Sequence, residues 1–497
     1  MYSASKKASL EHRLRGNEAM SNGDFKTALE EYNKGIPLNP DDGILWSNRS
    51  LAYLKLGHPE LALVDTNRAS IILIDPVLGL RKLELVQKDE SISPINKLKQ
   101  VGFKNLLRNA QAYSDLELFI DAIKSCQELM KLKNSFTAKN VPFNWIEVER
   151  LLQHCQKRYN EYVSEGDFKD FVQHYGISSF KGEYPWQSRK TDRFSEENFR
   201  YLKDRISEIS ASKVKLVKVN LGQSSVSDTI EIQYGIEAQE KISSHELIFK
   251  ETPFITVYSR IVERCDNCST KITTQSKFKC PNSSCKEVYC NIRCYQQALE
   301  LFHNQLCGKD ITGILTVVQK GKSTASLNNL FLIKLFAIAK QRDISPLDIK
   351  EIRHMTSSQQ TKHRFPKISV HLYEDVMRIL EIPIGDLRFD FWVFNCCLFM
   401  LSMNVFGERN GAIPDKAYLF SLLALINHQC DPNASTIGEI GNQLISEKVI
   451  QKGEAITINY DPRISSRERA ASLYYFFGIN CKCPKCRTFS GSFSKIA

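Results

Sequence analysis

The sequence contains no run of about 18 apolar residues, so no segment is suited to crossing a bilayer as a helix. Its first residues, Met1 to Arg15, are polar and charged and lack the apolar stretch of a secretory leader. Blocks of like charge are missing too. The net charge of +11 is spread over 497 residues, without the basic tract that marks a nucleic-acid arm. These absences argue against a membrane partner and against direct nucleic-acid binding, and they point to a reducing compartment, cytosol or nucleus. With 42% hydrophobic and 25% charged residues, the chain has the composition of a folded protein. Its length suits about three domains.

Cysteine, by contrast, is plentiful: there are fifteen. In a reducing compartment, clustered cysteines at short spacings read as zinc ligands before disulfides. Cys265-x2-Cys268, Cys280-x4-Cys285, Cys290-x3-Cys294 and His303-x3-Cys307 form four consecutive pairs, enough for two tetrahedral Zn²⁺ sites. The segment 265–307 holds few large apolar groups, so metal must supply much of its folding energy.

The first 136 residues read as an all-helical array. Gly16, Ala28, Tyr32, Gly35 and Pro40 fall in one unit, and Trp46, Tyr53, Ala62 and Ala69 in a second that begins 34 residues later. That is the period of a tetratricopeptide (TPR) helix–turn–helix. A third unit fits from Phe103, with Ala110, Tyr113 and Ala122, after an insertion at 77–102 that shows no register. Helical cap and linker are expected over 137–212. Strands are expected at 214–219, 229–232, 247–250, 444–449 and 455–459, and helix over 327–406.

Three motifs resemble the SET lysine methyltransferase family: Asn427-His428-Gln429-Cys430-Asp431-Pro432-Asn433, then Gly453-Glu454-Ala455-Ile456-Thr457-Ile458-Asn459-Tyr460, then Cys481-x-Cys483-x2-Cys486. Upstream, Gly235-x2-Ala238 and Glu246 through Phe254 resemble the first SET strands, and the cysteine cluster follows them at once. A SET fold interrupted by a MYND finger is the mark of the SET-and-MYND family, and the TPR array resembles that family's TPR-bearing branch.

The resemblance implies a multidomain α+β protein. Its parts would be the TPR array, a first SET part at 213–260, the MYND finger at 265–307, a helical insert at 312–403, the SET core at 404–477 and a post-SET zinc motif with a tail at 478–497. It also implies interleaved finger ligands, with Cys265, Cys268, Cys290 and Cys294 on one zinc and Cys280, Cys285, His303 and Cys307 on another. A third zinc would be held by Cys430, Cys481, Cys483 and Cys486.

The implied activity is S-adenosylmethionine-dependent methylation of a protein lysine, histone or not. Gly235, Asn404, Asn427, His428, Tyr460 and Phe477 would meet the cofactor, and Tyr460 would act on the reacting amine. An in-line transfer needs donor and acceptor aligned and a neutral amine. Four residues depart from the family's usual choices: Gln233 for a glycine, Gln429 for serine, Phe477 for tyrosine and Ile479 for an aromatic ring. A catalytically weak or inactive TPR/MYND adaptor, or a transcriptional co-regulator, on the same SET scaffold is therefore the alternative. The finger would bind proline-rich protein segments or serve architecture alone. Arg13, Asn17, Asn48, Lys104 and Arg108 lie on the first helices of three successive units. They resemble the carboxylate clamp with which TPR co-chaperones grip the C-terminal tails of heat-shock chaperones.

Overall fold

A computed structural model describes residues 2–74, 94–133, 143–164, 175–178, 192–223, 230–320, 324–356, 363–366, 368–408, 415–438, 440–460 and 473. The chain divides into two compact units. One comprises 1–189 with 361–374 and 383–392; the other comprises 190–360, 375–382 and 393–497.

The first unit is a run of helices: α1 (Tyr2–Ser21), α2 (Phe25–Gly35), α3 (Gly43–Leu56), α4 (Pro59–Ile74), α5 (Pro94–Asp115), α6 (Phe119–Leu132) and α7 (Trp145–Ser164), each packed on the next. Local chemistry sets their ends. Asp24 accepts from the Thr27 amide and Asp42 from those of Ile44 and Leu45, satisfying N–H groups that a helix start leaves unpaired. Gly57 closes α3 in the left-handed region at φ 79°, where a Cβ would be strained. Small residues let the helices close up. A Cβ on Gly16 would lie 2.4 Å from the Tyr32 ring. The same unit includes an antiparallel ribbon in which Tyr175–Ser178 pairs with His363–Pro366.

One boundary differs from the sequence reading. The first helix of the third pair begins at Pro94, inside the stretch 77–102 read as an insertion. Proline interrupts a helix only in its interior; at the first turn its missing N–H costs nothing. Residues 75–93 lie outside the described residues.

The second unit opens with α8 (Glu196–Ile209), capped by Ser195. Strands β1 (Val214–Gln223) and β2 (Ile230–Ala238) pair antiparallel, with Val217 opposite Gly235. Strands β3 (Leu247–Lys250) and β4 (Ile255–Tyr258) lead into the cysteine segment, which contains β5 (Phe278–Lys279), β6 (Val288–Tyr289) and α9 (Ile292–Ala298). Helices α10 (Thr312–Lys320) and α11 (Thr324–Gln341) follow, while α12 (Ile368–Ile379) and α13 (Phe391–Asn404) each begin in residues of the first unit and end in residues of the second. Among the described residues, the helix expected over 327–406 is therefore three separate α-helices. The last strands are β7 (Val405–Glu408), β8 (Lys416–Leu419), β9 (Asn427–His428), β10 (Ala434–Ile437), β11 (Gln443–Ser446) and β12 (Thr457–Ile458).

Strand orders are β4-β8-β7, β10-β11-β3 and a parallel β9-β12 pair. These small sheets close around one apolar core that includes Tyr234, Ile236, Phe249, Tyr418, Leu444 and Ile456. Gln233, the departure from the family's glycine, and Gly235, expected to meet the cofactor, lie with Tyr234 within β2. The Tyr234 ring is buried and its hydroxyl donates to the Arg193 carbonyl, which ties this segment to the core.

Candidate functional site

The parallel pairing of β9 with β12 sets Asn427 beside Thr457 and His428 beside Ile458. It brings together motifs about 30 residues apart in the chain. Several bonds fix the crossing. Asn433 accepts from the Thr457 amide at 2.9 Å and donates to the Ala455 carbonyl at 2.8 Å. Gln429, in the place of the family's serine, accepts from the Thr457 hydroxyl at 3.0 Å, so this departure is built into the crossing.

Tyr460 leaves β12 against His428, with ring centroids 5.1 Å apart. Its amide donates to His428 Nδ1 at 3.2 Å and its hydroxyl donates to the Ile426 carbonyl at 3.0 Å. Burial pushes the phenol well above its ordinary range, so it stays neutral and its remaining lone pairs serve as acceptors. Because Nδ1 accepts, the neutral imidazole carries its proton on Nε2. Nε2 faces Cys430 Sγ at 3.2 Å.

Asn427 donates to the Tyr234 carbonyl at 3.0 Å. It sits so near Gly235 that a Cβ there would lie 3.0 Å from its amide nitrogen and 2.6 Å from Val219. Gly235 is thus required by close packing rather than by its backbone angle. Asn404, at the end of α13, donates to the Thr356 and Met400 carbonyls at 2.8 and 2.7 Å. Both amide hydrogens are used, which orients Oδ1 as an acceptor.

Sequence reasoning missed the support of this region. Glu251 is buried, and its carboxylate accepts from the amides of Ser421, Leu422 and Leu423 at 2.8–3.1 Å. These residues begin the turn that delivers Ile426, Asn427 and His428. Burial raises the Glu251 carboxyl to about 7, against the pull of the three N–H groups. The buried His354 holds the other side of the turn, bonded through Nε2 to the Ser421 carbonyl at 2.7 Å.

The cysteine segment folds into two interleaved sets. Cys265, Cys268, Cys290 and Cys294 converge, as do Cys280, Cys285, His303 and Cys307, with the ligand atoms of each set within 4.8 Å of one another. Neighbouring atoms lie 3.4–3.8 Å apart. Zinc–sulfur bonds of roughly 2.3 Å in a tetrahedron give sulfur separations of about 3.8 Å, so both sets fit zinc. Cys285 joins its set despite the x4 spacing, because Asn282 turns the loop and accepts from the Ser284 amide.

Residues 233–461 match the SET domain family. A SET and MYND domain-containing protein of Dictyostelium discoideum is 25% identical over 272 residues, covering 50% of this chain and 78% of that protein. The histone-lysine N-methyltransferase ASHR1 of Arabidopsis thaliana is 23% identical over 261 residues, 49% of this chain and 51% of that one. Residues 233–461 thus carry the SET match, and about half of the chain is similar to SET and MYND domain-containing proteins. A third relative, Hsp70-Hsp90 organizing protein 2 of Arabidopsis thaliana, is 40% identical over 58 residues, 12% of this chain and 10% of that protein. The chain thus spans about half the length of its Arabidopsis methyltransferase relative and a tenth of the organizing protein.

Within the SET domain the structure places Gly235, Asn427, His428, Cys430 and Tyr460 around the β9–β12 crossing and Asn404 at the end of α13. Phe477, Ile479, Cys481, Cys483 and Cys486 lie outside the described residues.

In the TPR array the five groove residues do not share one state. Asn17 accepts from Tyr32 and from Asn48, both at 2.9 Å. Arg108 reaches across to the Ser47 carbonyl and hydroxyl at 2.6 and 2.8 Å and to the Asn48 amide oxygen. These acceptors are all neutral, and burial pulls Arg108 down to about 10. Lys104 is exposed. Arg13 departs from the reading that made it an open groove cation: it is ion-paired with Asp42 at 3.2 Å, its side chain 7% exposed. The carboxylate that caps α3 is its partner, an arrangement invisible to helix offsets.

Proposed function

We propose that this chain is an S-adenosylmethionine-dependent protein-lysine N-methyltransferase whose TPR array recruits partners with acidic C-termini. The observation that carries the catalytic reading is the β9–β12 crossing, which sets the neutral, oriented hydroxyl of Tyr460 beside Asn427 and His428. S-adenosylmethionine would supply the methyl group from its sulfonium. Asn404 Oδ1 and the main chain around Asn427 and His428 would hold it, with Gly235 against Asn427. With its proton donated to Ile426, the Tyr460 oxygen offers lone pairs to an incoming amine and methyl group. It is no base, since burial keeps the phenol protonated. The lysine must therefore arrive as, or become, the neutral amine in a dry channel.

Three zinc ions belong to this reading: one in each finger set, and one on Cys430, Cys481, Cys483 and Cys486. In the array, Arg108 and Lys104, with Asn17 and Asn48, would grip a terminal carboxylate. The likeness to an Hsp70-Hsp90 organizing protein supports chaperone tails as the ligand.

The direct test is mass spectrometry of methylated lysines in cells with and without the protein, beside cofactor binding to the purified chain. Tyr460→Phe should lower methyl transfer while leaving cofactor affinity within a few-fold, because the hydroxyl acts on the reacting groups. Bound cofactor without any methylated lysine would favour the adaptor reading.

A further inference from the structure

His303 is fully buried, and its two ring nitrogens have different fates. Nε2 faces the sulfurs of Cys280 and Cys285 at 3.4 and 3.8 Å. As a zinc ligand it must be unprotonated, which leaves the proton on Nδ1. Nδ1 is buried and has no hydrogen-bond partner. An N–H left so costs about 1–3 kcal/mol unless something accepts from it.

Glu287 presents the complementary defect. One carboxylate oxygen bonds Arg260 at 2.7 Å. The other, Oε2, is buried and without a partner. Glu287 and His303 line the same narrow cavity. It leaves about 20 Å³ for the centre of a water-sized sphere, and one water needs roughly 10–15 Å³ by that measure. A buried donor and a buried acceptor, each unmatched, thus share a space of the right size for one molecule that can serve both.

The same cavity is where the finger meets the SET body. Arg260, two residues after β4, bonds Glu287 and Asp266, and Lys334 of α11 bonds the Asp266 carboxylate at 3.1 Å and its carbonyl at 2.6 Å. The Lys334 ammonium also lies 4.3 Å over the ring of Phe302, the neighbour of His303.

We propose that a buried water joins Glu287 to His303 Nδ1, so that Glu287, held by Arg260 of the SET body, orients the histidine ligand of the finger's second metal. The relay runs from guanidinium to carboxylate to water to imidazole to metal. It makes Glu287 a positioning residue and ties the histidine ligand of the second metal site to the SET body. This rests on the zinc reading of the finger.

The test uses the full chain with zinc replaced by ¹¹³Cd, for which sites of four sulfurs and of three sulfurs and one nitrogen give separate resonances. Metal loss to a chelator is followed at each resonance in the native chain and in Glu287→Gln and Glu287→Ala. Losing an outer partner of a metal-bound histidine costs roughly 10–100-fold in metal affinity. The three-sulfur, one-nitrogen site should therefore weaken by that factor in Glu287→Ala and less in Glu287→Gln, which can still bond the water. The four-sulfur sites should not move. Unchanged loss at the nitrogen-bearing site overturns the relay, as does equal acceleration at every site, which would make Glu287 a docking residue only. A native chain with no three-sulfur, one-nitrogen resonance would remove the metal reading itself.

Discussion

The interior of the TPR array and its concave face treat a buried guanidinium in opposite ways. Arg49, between α3 and α4, makes two 2.7 Å bonds to Asp65, a third to Asn33, and lies near the rings of Trp46 and Tyr53. Burial alone would lower its pKa, but Asp65 outweighs that and holds it above the ordinary arginine range. Arg108, on the concave face, is surrounded by neutral acceptors, and burial pulls it down. One cation is complete within the fold. The other is desolvated in advance and lacks a counter-charge, the condition under which a bound carboxylate contributes most.

The largest effect is expected at Arg49. Arg49→Ala leaves Asp65 buried and unpaired, which should cost about 3–5 kcal/mol. Hydrogen exchange in α3 and α4 would report it. A loss below 1 kcal/mol would mean that Asp65 finds water or a proton easily, and that the interior does not depend on the pair.

Glu251 extends the contrast to an anion with neutral partners. Its carboxyl stands at about 7 in the fold against an ordinary 4.5. Between those pH values the native state holds a proton that the unfolded chain has released. Stability therefore falls as pH rises from 4.5 to 7 and is flat above. The span corresponds to about 3 kcal/mol. The difference in stability between the native chain and Glu251→Gln should change by that amount across the window, in denaturant titrations at a series of pH values. No change would show that the three amides hold the carboxylate ionised throughout.

At Arg108 the expected loss falls on binding instead of folding. Arg108→Ala should leave fold stability nearly unchanged, since it removes a desolvated cation with no ion pair. It should weaken binding of an acidic chaperone-type C-terminal peptide by more than tenfold, about 1.4 kcal/mol. Lys104→Ala should do the same, and amidating the peptide terminus should abolish binding. Calorimetry on the full chain would check all three.

What the sequence disclosed depended on the range of the interaction. Ligand spacing located the finger pairs, and the 34-residue period located the helices, because both are written in near neighbours. The β9–β12 crossing was legible only through resemblance, since no local pattern pairs Asn427 with Thr457. Asp65 under Arg49, Glu251 under Leu422 and Glu287 beside His303 gave no signal. Each is an acidic residue whose partner is set by tertiary packing, 16 and 171 residues away for the first two. Gly235 was legible as part of a strand, but the reason for a glycine there, the close approach of Asn427, was not.

Arg13 supplies the smallest and most discriminating effect. By helix offset it equals Lys104 and Arg108 as a groove cation, yet its charge is already met by Asp42 at 3.2 Å, and both side chains are largely shielded, at 7% and 11% exposure. A ligand carboxylate approaching it must compete with one already in place, and Asp42 is fixed by its bonds to the Ile44 and Leu45 amides. Arg13→Ala should therefore weaken peptide binding only a few-fold, under about 1 kcal/mol. Its larger effect should fall on the start of α3, where Asp42 loses its counter-charge but keeps its capping bonds. Measured beside Arg108→Ala with the same peptide, the order of the two losses decides the matter. If Arg13→Ala costs as much binding as Arg108→Ala, the pair opens on binding, and the division between completed and waiting cations fails at this position.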